Sequence, residues 1–276
     1  VRDAPATFAP LIEARGVSVR YGPHTVLAPT DLTIGAGATT VIVGPNGAGK
    51  TTLMRVLTGE LAPSSGTVRF GGADIATLSA AALARRRAVL PQATRLSFPF
   101  TVHEVVRLGC PAGRDDPARI AALLERVDLT GFGHRYYQQL SGGEQQRVQL
   151  ARVLAQLDTG RDGAGEGDLP RALFLDEPTS SLDIRHQIAV LEIARTYAAA
   201  GWAVLAILHD LNMAAMFADR ILVVDRGRVV ADGRPAAVIT AELVSRVFGV
   251  NADIGARDGI PYVLPPRPAG LPDGRI

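Results

Sequence analysis

The stretch GPNGAGKTT, Gly44 to Thr52, follows a β-branched run, TTVIVG, and leads into TTLMRVLTGEL, where apolar residues recur at helical spacing. Strand, glycine-rich loop and helix in that order fit the phosphate-loop pattern, with Gly44, Gly49, Lys50 and Thr51 at the positions it requires. Glycines let backbone amides converge on phosphate oxygens, and the helix start adds partial positive charge. Lys50 is expected to reach the terminal phosphates and Thr51 to offer its hydroxyl to magnesium. Gly44, Pro45, Asn46, Gly47, Ala48, Gly49, Lys50, Thr51 and Thr52 together form the expected nucleotide-binding segment. Such a loop alone does not separate a kinase from a switch GTPase or an ATPase.

The rest of the chain alternates. LIEARGVSVRY and TVLAPTDLTIGAGATTVIVG read as strands punctuated by glycine and proline, and TVRFGG follows the PSSG stop of the first helix. Residues 79–88 read as a helix, AVLPQ as a strand end, and 101 to about 156 as almost entirely helical. Residues 158–170, DTGRDGAGEGDLP, have the composition of a flexible surface loop. RALFLDEP and WAVLAILHD read as buried strands on either side of a helix closed by glycine, which implies a parallel sheet covered on both faces. DRILVVDRGRVVADG reads as a terminal hairpin, and a tail rich in proline and glycine runs from Asn251. At 276 residues the chain suits one compact unit with subdomains.

Composition narrows the partners. A formal charge of +2 with a pI near 9.0 reflects a small excess of arginine and does not call for a nucleic-acid partner; Arg85, Arg86 and Arg87 read as a solvated face. Cys110, the one cysteine, cannot bridge within the chain, which fits a reducing compartment. The opening VRDAPATFAPLIEARGV lacks the apolar core of a secretory signal, and His209 and Asp210 interrupt the longest apolar stretch. Work at a membrane would therefore require another chain to cross it.

ALFLDEP brings two carboxylates to a strand tip. Asp176 there suits magnesium beside Thr51, and Glu177 suits orienting or deprotonating an attacking water.

Taken in order, the phosphate loop, LPQ, LSGGEQQR, LFLDEPTSSLD and LHD resemble the ATPase subunit of an ATP-binding cassette transporter, over roughly residues 11–250. The resemblance implies an α/β fold: a P-loop NTPase (RecA-like) core with a parallel sheet, an N-terminal antiparallel β subdomain and an inserted α-helical subdomain. It implies a nucleotide-binding domain over 9–250, with the helical part at about 93–156, and a tail over 251–276. ATP and Mg2+ are the implied cofactors. The implied roles place Tyr21 on the adenine, Gln92 between magnesium and the permease, His209 at the γ-phosphate and Asp183 in communication across a dimer. Read without the family, Tyr21 caps a strand, Gln92 is a loop glutamine and His209 is a core histidine.

In this family Ser141, Gly142 and Gly143 close over ATP held by a second copy, so each site needs two chains in a head-to-tail homodimer. As residues alone they read as a helix cap with Glu144 in the first turn, and both readings are compatible. Phe98 and Phe100 read either as exposed anchors for the permease or as core.

RRRAVLPQATRLSFPFTVHEVVRLG, with LARVLAQL and LFLDEPTSSLDIRHQ, is most similar to the ATPase subunits of bacterial hemin importers, whose neighbours serve ferric siderophores and cobalamin. The implied partners are an integral membrane permease dimer and, indirectly, a periplasmic binding protein, with this chain peripheral on the cytoplasmic face of the bacterial inner membrane. A soluble cassette ATPase outside transport is the other class. His24, His103, His134 and His186 are scattered along the chain, so no direct hemin binding is expected.

Overall fold

The computed structural model describes residues 9–92, 96, 98–110, 116–157 and 171–266. The expected flexible loop at 158–170 and the end of the tail, 267–276, lie outside the described residues.

Two long antiparallel strands, β1 (Pro10–Tyr21) and β2 (His24–Gly35), open the chain. The chain then enters the central sheet through β3 (Ala38–Val43), buried at every residue, and the helix α1 (Lys50–Leu57). β4 (Ser65–Phe70) and the short β5 (Ala73–Asp74) return to β1, completing a four-stranded antiparallel sheet in the order β2-β1-β4-β5. The first helix stops short of the expected Leu61 because Gly59 turns left-handed at φ 74°.

α2 (Ala80–Arg86), capped by the Ser79 hydroxyl, leads into β6 (Arg87–Leu90). The expected helical block resolves into α3 (Val102–Arg107), α4 (Pro117–Arg126) and α5 (Gly142–Leu157). Thr101 and Glu104 form a reciprocal capping box on α3, and Asp116 followed by Pro117 starts α4. Between α4 and α5 the backbone takes left-handed turns at Asp128 and Gly131, which spacing of apolar residues does not reveal. The far end of α5 is fastened to α2 and to the start of β6, where Gln156 Nε2 donates to the carbonyls of Ala84 and Arg87 at 2.8 and 3.0 Å. α5 therefore packs against both the helices α3 and α4 and the strand β6.

β7 (Ala172–Asp176), α6 (Ile184–Ala199), β8 (Ala203–Ile207), α7 (Leu211–Phe217), β9 (Arg220–Asp225) and β10 (Arg228–Gly233) complete the central sheet. Its order is β10-β9-β3-β8-β7-β6, parallel throughout except for β10. The pleat splits each buried strand between two cores. Phe174 of β7 joins Ile42, Leu53 and Met54 beneath the antiparallel sheet, while Leu173 and Leu175 face Val148, Leu154 and Leu191 of α5 and α6.

α8 (Pro235–Val238) and α9 (Ala241–Phe248) follow, and the described part of the tail holds a hairpin of β11 (Asp253–Arg257) and β12 (Ile260–Leu264). Turns at Asp258 and Gly259, both with positive φ, close it, so the stretch read as a tail rich in proline and glycine carries a strand pair. Among the described residues no helix is long and apolar enough to cross a membrane.

Candidate nucleotide site

Parallel strands carry their carboxyl ends to one edge of the sheet, where open α/β folds bind ligands. The loop after β3 lies at that edge. Gly44 leaves the strand at φ 151°, and a Cβ built there would sit 2.0 Å from the Val224 carbonyl of β9, so only glycine fits without moving a buried strand. The turn between β9 and β10 clasps the loop: the Gly227 N–H donates to Ala48 O and the Ala28 N–H donates to Gly227 O, each at 2.8 Å. Nothing in the sequence singled out Gly227, since its role is to touch residues far away in the chain.

Lys50, almost fully buried, folds its ammonium back onto the carbonyls of Gly44 at 2.8 Å and Pro45 at 2.9 Å. Burial pulls its proton affinity below the ordinary lysine range, and the charges of Glu177 and Asp176 pull it back up. Thr51 Oγ1 lies 3.4 Å from Asp176 Oδ1, joining loop to strand tip. Desolvation holds the Asp176 carboxyl above the usual carboxylate range, with Thr51, Lys50 and His209 opposing and Glu177 adding to the shift.

Glu177 follows Asp176 in a left-handed backbone conformation, φ 51°, that non-glycine residues adopt at a cost. Its N–H donates to Ile207 O at 3.2 Å. Turned this way, its carboxylate accepts from Gln92 Nε2 at 2.8 Å and lies 2.6 Å from His209 Nε2. Gln92 follows β6, and His209 follows β8, so strands from both sides of β7 deliver groups to one carboxylate. The loop residues 46–52 and Val26, Gln92, Glu177 and His209 enclose an open cleft of about 530 Å3. Val26 was not anticipated, being one more apolar residue of a strand.

The sequence profile of the ABC transporter family matches residues 27–180. The hemin import ATP-binding protein HmuV of Rhizobium meliloti (strain 1021) is 50% identical over 261 residues, 92% of this chain and 98% of the relative. The chain belongs to the ABC transporter family. The protein of the same name from Jannaschia sp. (strain CCS1) is also 50% identical, over 92% of this chain and 94% of its own length. Among solved structures, a bacterial Atm1-family ABC exporter with ATP bound superposes with a TM-score of 0.72 at 28% identity, covering 89% of this chain and 42% of the exporter chain. An ATP binding subunit of an ABC transporter superposes with a TM-score of 0.69 at 25% identity, over 87% and 94% of the two chains. As an ABC transporter ATPase, the chain binds ATP and couples its hydrolysis to transport.

Other residues singled out in this ABC ATPase stand apart from the cleft. Tyr21 lies at the end of β1, 55% exposed and outside the cleft lining. Ser141, Gly142 and Gly143 also lie outside that lining. The Ser141 N–H and hydroxyl donate to Glu144 Oε2 at 2.7 and 2.8 Å, and the Glu144 N–H donates to Ser141 Oγ at 3.3 Å. These bonds hold the Glu144 carboxyl below its ordinary range. Gly143 abuts the loop ahead of α6, where an added Cβ would come within 2.8 Å of Ser181 O. Asp183 caps α6 through the His186 N–H at 2.9 Å and also meets the His186 ring. Phe98 is 68% exposed, while Phe100 packs edge-on to it at 6.2 Å and reaches the core.

Proposed function

We propose that this chain is the ATP-hydrolysing subunit of a bacterial hemin importer. The observation that carries the reading is the 50% identity to hemin import ATP-binding proteins along nearly the whole of both chains. The residues fit an ATP site. Loop amides at residues 46–52 would bind the phosphates, and Lys50 would exchange its two carbonyl acceptors for phosphate oxygens. Tyr21 would stack on the base from the exposed rim.

The donor set also fits Mg2+, since the hydroxyl of Thr51 and the buried carboxylate of Asp176 are hard oxygens and a cation would offset the desolvation of Asp176. When bound, Mg2+ neutralises charge on the reacting phosphates. Glu177, held between Gln92 and His209, orients the attacking water and takes up its proton, while His209 steadies the γ-phosphate. Gln92 reports the state of this group to the permease.

Ser141, Gly142, Gly143 and Asp183 are presented away from the chain's own cleft, which supports a site completed by a second copy in a head-to-tail homodimer. The assembly would dock on a permease dimer at the cytoplasmic face of the inner membrane, with Phe98 among its contacts. A periplasmic binding protein would deliver hemin to the permease, and this chain would not hold hemin itself.

The test is uptake into vesicles carrying the chain and its permease, comparing hemin with a ferric siderophore. ATP-dependent accumulation of hemin is expected; accumulation of the siderophore alone would overturn the cargo.

A further inference from the structure

Gln146 lies on α5, five residues beyond Ser141, and its Nε2 donates to the carbonyl of Glu177 at 2.9 Å. The same carbonyl accepts from the Ser180 N–H at 3.3 Å, and the Glu177 N–H is held by Ile207. Both peptide groups beside the left-handed Glu177 are therefore tied, one of them to a side chain of α5. The other end of the Gln146 amide, Oε1, is buried and has no hydrogen-bond partner among the described residues. Turning the amide over would set two acceptor oxygens face to face, so the side chain keeps the orientation that leaves Oε1 unmet.

We propose that Gln146 is a positioning residue for Glu177, transmitting displacement of α5 into the peptide that aims the carboxylate. It does not line the cleft and acts without touching nucleotide. The helix it rides on begins at Gly142, next to the Ser141 hydroxyl, so a ligand engaging that end displaces Gln146 about one helical turn away. The proposal rests on the reading that Glu177 orients the attacking water.

The experiment measures ATP turnover of the full chain with Mg2+. Gln146→Leu removes the donor and the unmet acceptor together. The expected result is a kcat lowered roughly ten- to a hundredfold, with KM for ATP within about twofold of the parent and Tm unchanged or raised. In a Glu177→Gln background the same change should add no further loss, because both act through one group. Gln146→Glu can donate only when its carboxyl is protonated, so its rate relative to the parent should rise as pH falls. Parental kcat in Gln146→Leu, or a KM that rises as kcat falls, would overturn the proposal. If Gln146→Leu does not fold, Gln146→Met retains the length and is judged by the same measurements. Full activity in Glu177→Gln would instead refute the reading of Glu177, whereas loss there with full activity in Gln146→Leu refutes only the proposal.

Discussion

Glu177 Oε1 lies 2.6 Å from His209 Nε2, while its other oxygen accepts from Gln92 at 2.8 Å. One carboxylate is thus fixed from the two strands that flank its own. Glu177→Gln preserves shape but turns one of the two acceptor oxygens into a donor and removes the charge and the proton acceptor. The expected loss in hydrolysis is about a hundred- to ten-thousandfold, with ATP binding retained. Trapped ATP should shift the variant toward dimer in size-exclusion chromatography with ATP and Mg2+, and the parent, which turns ATP over, should shift less. Parental turnover would remove Glu177 from the chemistry.

Gly44 and Gly47 are both glycines of the loop, yet their substitutions should differ. An alanine Cβ at Gly44 would meet the Val224 carbonyl at 2.0 Å, whereas at Gly47 none of the described residues comes within 4 Å and only its φ of 74° is strained. Gly47→Ala should cost about 1–2 kcal/mol, and Gly44→Ala more than about 4 kcal/mol. Denaturant unfolding of the two variants checks the order, and equal losses would contradict it.

The contrast explains what was legible in the sequence. Phosphate loop, strand tips and helix periods are local patterns, so the alternation of β3, α1, β7, α6 and β8 could be read from residues alone. Contacts made across the chain could not. Gly227 reaches the loop from the β9–β10 turn, Gln146 reaches Glu177 from α5, and neither has a neighbour in sequence that points to its partner. Breaks such as Asp128 and the C-terminal hairpin were hidden because left-handed turns leave little trace in apolar spacing. The same patterns read Ser141 as a helix cap with Glu144 in the first turn, and the structure engages the two, the Ser141 hydroxyl donating to Glu144 Oε2.

That engagement makes the start of α5 sensitive to acid. The Ser141 N–H and hydroxyl hold the folded Glu144 carboxyl below its ordinary range, so its contribution to stability is full above the unfolded value. It is lost as pH falls through the depressed folded value. Glu144→Gln does not titrate, so the stability gap between parent and variant should narrow from about pH 6 to about pH 3. Unfolding measured across that range checks it; a gap independent of pH would show that the ionised carboxylate is not what supports the helix start.

Asn212, three residues after His209, ties α7 to the C-terminal hairpin. Its Oδ1 accepts from the Val263 N–H at 2.7 Å, and its Nδ2 donates to Val263 O at 3.2 Å, so one amide mimics a neighbouring strand for β12. Asn212→Ala breaks both bonds and should lower stability by about 1–3 kcal/mol, with faster amide exchange at Val263. Asn212→Asp keeps the acceptor for the Val263 N–H but places an acceptor against Val263 O, so protection at Val263 should survive better than in the alanine variant. Amide exchange resolved at Val263 distinguishes the two. Equal exchange in parent and Asn212→Ala would mean that β11 holds β12 without help, and that α7 carries no fastening to the hairpin.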